Sequence, residues 1–176
     1  GGFGTNIKEA KPVVSRAVLL SSAGVLLTAG ITGIFIHLVL KLPLLESFLV
    51  ASVIGSTDAA SVFNILRSKN LNLKENTASL LEMESDSNDP VSYMLTVILT
   101  AVLTGQSVNI GSMLFFQVFF GIGCGVLFGK STAVVLNQVD FDIAQGKTIL
   151  VFAAAILAYT VPSMIGGNGY LSVYLC

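Results

Sequence analysis

Four carboxylates fall within eight positions of the stretch LLEMESDSNDPVSYML (Leu80–Leu95): Glu82, Glu84, Asp86 and Asp89, with Pro90 directly after the last. A carboxylate can hold a proton or help bind a cation, and its neighbours decide which. On a helix Ser85 and Asp89, four apart, share one face, and Glu84 and Asn88 share the adjoining one. Every donor in this set is an oxygen, which suits a small hard cation or a proton and not zinc or copper. A second polar interruption is GSTDAA, where Gly55, Ser56, Thr57 and Asp58 all disfavour a helix interior. Inside an apolar segment this reads as a locally unwound helix whose freed carbonyls can meet a cation. Pro90 predicts a similar local break after Asp89, because it lacks a backbone donor.

These groups stand out against their surroundings. The chain has 176 residues, of which 53% are hydrophobic and 11% charged, where a soluble domain carries about 25% charged residues. The class is therefore an all-α, polytopic transmembrane helical bundle. Net charge is −1 and no basic cluster with interleaved aromatics occurs, so nucleic acid is not an expected partner. Cys124 and Cys176 have no Cys or His at metal-ligand spacing, so nothing supports a zinc site or a disulfide framework. Taking roughly 20 apolar residues per crossing, the expected spans are 13–40, 44–66, 77–104, 110–136 and 148–165, with a further one starting at 169–176. The ends, GGFGTNIKEA and GYLSVYLC, read as those of a segment from a longer membrane protein, so residues 1–176 are expected to be a partial transport domain.

Basic residues give these spans a direction. Alternate connections hold eight and one of the nine lysines and arginines, the one being Lys41. The positive-inside rule then makes the starting side and the loops 67–76 and 137–147 cytoplasmic. Asp58 lies nine residues before Arg67, about 13 Å along a helix, and Asp89 lies some eleven residues into its span, about 16 Å. Two carboxylates from antiparallel neighbours thus reach one level near mid-bilayer, where an ionisable residue is by default functional. Glu82 falls near the cytoplasmic mouth. A carboxylate at mid-depth that accepts either a proton or a metal cation, and that faces each side in turn, is sufficient for cation/proton exchange.

GSTDAASVFNILRSKN followed by LLEMESDSNDPVSYMLT resembles the paired threonine–aspartate and asparagine–aspartate helices of the monovalent cation:proton antiporters, in the NhaP-like branch that includes cell volume regulation protein A. GGNGYLSVYL is similar to the start of the next helix of that family. The resemblance implies one part of an inverted-repeat transporter with an unwound crossing helix, and a transporter, not an enzyme. It makes Asp89 the ion- and proton-binding carboxylate and Asn88 the partner that anchors the unwound segment. Thr57 and Asp58 become the crossing breaks, Ser85 a candidate ligand, and Glu84 the partner of an arginine on a later helix. Asparagine at 88 is the pattern of electroneutral exchange. Asp86 stands where relatives commonly have glycine. The implied partners are K+ or Na+, H+ and membrane lipid. A homodimer, a plasma (inner) membrane location, a role in pH and volume homeostasis and no cofactor are also implied.

Other features are better explained by structure. His37 has no serine or metal-ligand partner and reads as an interfacial residue. GIGCGVLFGK lies within an apolar run with no strand before it, which fails the condition for a phosphate loop. Gly121, Gly125 and Gly129 instead place small residues along one helix face for close packing. RSKNLNLKEN is a topogenic connector. Two alternatives compete with an antiporter. A cation channel would want repeated rings of ligands, and an intramembrane aspartyl protease would want a glycine-x-glycine-aspartate context where the chain has GSTD.

Overall fold

The computed structural model of the chain describes residues 12–57, 77–107, 109–138 and 144–176, without the side chains of Glu82, Ala144 and Gln145. Asp58 and the loop 67–76 lie outside the described residues, as do residues 139–143 of the second predicted loop. Every regular element among the described residues is a helix: α1 Val14–Leu40, α2 Leu44–Ile54, α3 Thr77–Leu103, α4 Ile110–Gln138, α5 Ala144–Met164 and α6 Gly169–Leu175. They fall into two compact units, Gly1–Val108 and Asn109–Cys176.

In the first unit α1 turns into α2 within three residues. Lys41 ends α1 in the left-handed conformation (φ 54°), and Pro43 two residues on prevents the helix from continuing. His37 secures this turn, its Nδ1 2.6 Å from the Leu42 carbonyl oxygen. The buried face of α1 is a narrow stripe of mostly small residues, Ala17, Ser21, Val25, Ala29 and Gly33, with Ile36 at its end. Small residues let neighbouring backbones approach, which is the main source of helix association where hydrophobic driving force is absent. A Cβ on Gly33 would sit 2.4 Å from the Phe48 ring, so α2 is seated directly on that glycine. Met83 and Leu80 of α3 pack on Ala17 of α1 and on Val13 just before it, and Leu95 of α3 packs on the Ala29, Ile36 and Ala51 cluster.

Of the two interruptions expected from sequence, one is present and one is not. α2 stops at Ile54, and Gly55, Ser56 and Thr57 leave the helix as the GSTD composition predicts. α3 by contrast runs unbroken through Pro90. A single proline removes one hydrogen bond, and packed membrane helices absorb that loss. Among the described residues three helices are long and apolar enough to cross a membrane: Val14–Leu40, Ile110–Gln138 and Gly146–Met164. α3 matches them in length, but its acidic first half keeps it out of that set.

In the second unit the α4 glycines form a seam for α6. A Cβ on Gly121 would meet the Asn168 carbonyl at 3.0 Å, one on Gly125 the Ser172 carbonyl at 2.6 Å, and one on Gly129 the Cys176 carbonyl at 2.8 Å. Contacts advance together along both helices, so α4 and α6 run parallel. Between them α5 ends in a turn with Gly166 at φ 80° and Gly167 N–H donating to the Pro162 carbonyl at 2.7 Å. Asn168 then caps α6, its side-chain oxygen accepting from Leu171 N–H at 3.0 Å. The outward face of α4 is aromatic, with Phe115 stacked on Phe119 and Phe116 on Phe120.

Gly125→Ala should lower the apparent melting temperature in detergent, because overpacking a closed contact costs about 1–3 kcal/mol. Gly24→Ala, mid-helix with nothing within 4 Å of the new Cβ, should raise it by the equivalent of about 0.5–1 kcal/mol. Thermal unfolding of the two variants beside the parent checks both signs.

Candidate functional site

The site forms where the end of α2 lies against the polar half of α3. Thr57 is its hub. Ser85 Oγ donates to the Thr57 carbonyl at 3.1 Å and lies 3.1 Å from Thr57 Oγ1, while Asn88 Nδ2 donates to the same Oγ1. One residue earlier, Ser56 Oγ donates to Asp89 Oδ1. The predicted residues Thr57, Ser85, Asn88 and Asp89 are therefore brought together.

Burial grades across this set. Ser85 and Asn88 are 3% and 1% exposed, whereas the Asp89 side chain is exposed. Depth along the span had suggested a buried carboxylate, and rotation about the helix accounts for the difference. At about 100° per residue, Ser85 sits between Asn88 and Asp89 on the helical wheel. Asn88 and Ser85 face α2, and Asp89 lies at the margin of that face. The expected division into a Ser85–Asp89 face and a Glu84–Asn88 face thus becomes one continuous polar arc from Asn88 through Ser85 to Asp89.

The other acids separate from it. Glu84 is half-buried and has no ion-pair partner among the described residues. Asp86 is half-buried, and its Oδ2 is shielded without a hydrogen-bond partner there. Asn88 Oδ1 is likewise buried and unpartnered. The Asp58 carboxylate, expected opposite Asp89, lies outside the described residues. The oxygens at hand are the Asp89 carboxylate, the hydroxyls of Ser56, Thr57 and Ser85, the Thr57 carbonyl and Asn88 Oδ1. A set of only hard oxygens, one of them anionic, can take a monovalent cation or a proton. Among the described residues no cluster of three or more His, Cys, Asp or Glu side chains could hold a metal ion.

Sequence reasoning overlooked several polar residues. Ser56 is Asp89's direct partner, although it reads only as a helix breaker. Above the site a second set of hydroxyls joins the same helices: Ser92 Oγ donates to the Ser52 carbonyl, and Ser52 Oγ lies 2.9 Å from Thr96 Oγ1. The signal was present in the spacing of Ser85, Asn88, Ser92 and Thr96, which repeats at three or four residues along α3. In the second unit Gln117 is 2% exposed with neither side-chain polar atom paired among the described residues, and its carbonyl accepts from Asn168 N–H at 3.0 Å. An apolar sequence context hid it.

Comparison with known proteins follows the same direction. The family described as "Sodium/hydrogen exchanger, transmembrane" matches residues 1–176. The chain is 34% identical over 179 residues to the K(+)/H(+) antiporter NhaP2 of Shewanella oneidensis, covering 99% of this chain and 31% of that protein. It is 33% identical over 178 residues to the K(+)/H(+) antiporter NhaP of Alkalimonas amylolytica, with coverage of 99% and 31%. Sodium/hydrogen exchanger 8 of Arabidopsis thaliana is 26% identical over 178 residues, with 98% and 23% covered. The chain thus spans about a third of the length of the bacterial relatives.

Thr57→Val keeps the shape of the hub and deletes its hydroxyl, which leaves the Asn88 amide without its partner at 1% exposure. Loss of a buried hydrogen-bond partner costs about 1–3 kcal/mol. The apparent melting temperature should fall, and Thr57→Ser, which retains the hydroxyl, should restore most of it.

Proposed function

The chain belongs to the sodium/hydrogen exchanger family, and from that premise we propose that it forms part of a secondary antiporter exchanging K+ or Na+ for H+. The observation that carries this reading is the Asp89 carboxylate held by Ser56 at a broken membrane helix, beside the Thr57–Ser85–Asn88 oxygens. Asp89 carries either the proton or the cation. Ser56, Thr57, Ser85 and Asn88 supply neutral oxygens that replace part of the cation's hydration, and Asp58 completes the polar break. Because the chain spans about a third of its bacterial relatives, the cover for the open face of Asp89 is assigned to the rest of the protein, together with the arginine that would pair with Glu84. The K(+)/H(+) names of the relatives favour potassium as the cation.

Further parts of the reading rest on pattern. Asparagine at 88 supports electroneutral exchange of one proton for one cation. The distribution of lysine and arginine supports cytoplasmic loops at 67–76 and 137–147 in a multi-pass plasma membrane protein. The exposed apolar faces of α1 and α4, with Leu27, Ile31, Phe115 and Phe119 outward, suit contact with lipid. A homodimer follows from the family resemblance.

Everted membrane vesicles containing the complete gene product test the core of this reading. Addition of K+ or Na+ should dissipate a preformed pH gradient, and Asp89→Asn should abolish that response at equal protein level. Undiminished exchange in Asp89→Asn would remove the assignment of Asp89. Competition at one carboxylate further requires that the apparent KM for the cation rise as pH falls, with maximal velocity unchanged when the cation saturates. A single cysteine placed at Asn70 in a background lacking Cys124 and Cys176 should react with an impermeant maleimide in everted vesicles and not in intact cells.

A further inference from the structure

A helix that stops leaves its last carbonyls without donors, and in a membrane water is not there to replace them. Because α2 ends at Ile54, the carbonyl of Ser52 has no helical N–H four residues ahead to receive. Its donor comes from another helix, as Ser92 Oγ of α3 fills that position. Ser92 is 5% exposed and Ser52 fully buried, so no solvent competes for this bond. A second bond braces the same point: Ser52 Oγ meets Thr96 Oγ1 at 2.9 Å and the Leu49 carbonyl at 2.8 Å. On α3, Ser92 lies one turn beyond Asn88 and two beyond Ser85, the residues that hold Thr57. The end of α2 and the segment after it are therefore fastened to one face of α3 over more than two turns.

We infer that Ser92 is a positioning residue of the exchange site, capping the broken end of α2 so that Ser56 and Thr57 are presented to Asp89 in a fixed register. The Ser92 hydroxyl donates to the Ser52 carbonyl and not to Asp89. It acts through the Ser52 carbonyl, four residues before Ser56. When the cap is lost, the end of α2 is free to extend or fray, and the arrangement that binds the cation is populated less. A reduced competent fraction lowers apparent affinity in proportion and leaves turnover at saturation unchanged. This inference rests on the antiporter reading of the same site.

Ser92→Ala and Ser92→Thr in the complete gene product, assayed in everted vesicles at equal protein level beside the parent and Asp89→Asn, provide the test. Ser92→Ala should raise the apparent KM for the cation about three- to ten-fold, the scale of one net hydrogen bond, with maximal velocity within two-fold of the parent. Ser92→Thr keeps the hydroxyl and should return KM to within two-fold. A Ser92→Ala apparent KM equal to that of the parent, whatever its maximal velocity, would overturn the inference, since a purely structural loss lowers the amount of working protein and not its affinity. An equal KM shift in Ser92→Ala and Ser92→Thr would overturn it as well, because the hydroxyl would then be irrelevant. The antiporter reading fails separately, through exchange that persists in Asp89→Asn.

Discussion

A helix interrupted inside an apolar layer must find hydrogen-bond partners for the backbone it exposes, and the first unit is organised by that requirement. Each unpaired peptide group in hydrocarbon costs several kcal/mol. α2 stops at Ile54, and α3 answers with side chains at turn-by-turn spacing: Ser92 for the Ser52 carbonyl, Ser85 for the Thr57 carbonyl and Asn88 for the Thr57 hydroxyl. The small-residue stripe of α1 serves the same end. Ala17, Ala29 and Gly33 bring α2 and α3 close to α1 and to each other, within reach of short serine and threonine side chains.

The groups that satisfy the broken backbone are also the groups a cation would use. A hydroxyl that donates to a carbonyl still has lone pairs free, and an asparagine that donates through Nδ2 still presents Oδ1, which is buried and unpaired at Asn88. Fold stability and the proposed ion binding would thus draw on one set of atoms. Asp89 differs in kind. It lies at the edge of the buried arc, where its partner Ser56 belongs to the unwound segment and not to a helix. The charge on regular α3 is met by a hydroxyl from the irregular segment, and the neutral oxygens lie where the structure is most enclosed.

Local features were legible in the sequence and relative ones were not. α1 begins one residue from the start of the apolar run, and α4 outlasts its run by two residues, ending at Gln138. α5 starts at Ala144, four residues before the hydrophobic segment, because a helix can open with the polar turn AQGK, which hydropathy does not register. The interruption after Ile54 followed from the propensities of Gly, Ser and Thr, whereas Pro90 suggested a break that the packed α3 does not make. Asp89's exposure escaped prediction because depth along a helix says nothing of rotation about it. The pairing of Ser92 with Ser52 requires the register between two helices, which neither segment encodes alone. Asp58, the other half of the expected carboxylate pair, lies outside the described residues.

The contact between α4 and α6 has a mechanical meaning. At Gly121, Gly125 and Gly129 the nearest atom that the α4 helix meets is a backbone carbonyl oxygen of the α6 segment, with the Leu171 side chain packed beside the first of them. Side chains can change rotamer and let two helices slide by ångströms, but backbone against backbone has no such compliance. The two segments therefore resist sliding past one another along this seam. Within the second unit this seam makes α4 and α6 one stiff element, and bending is left to the turns at either end.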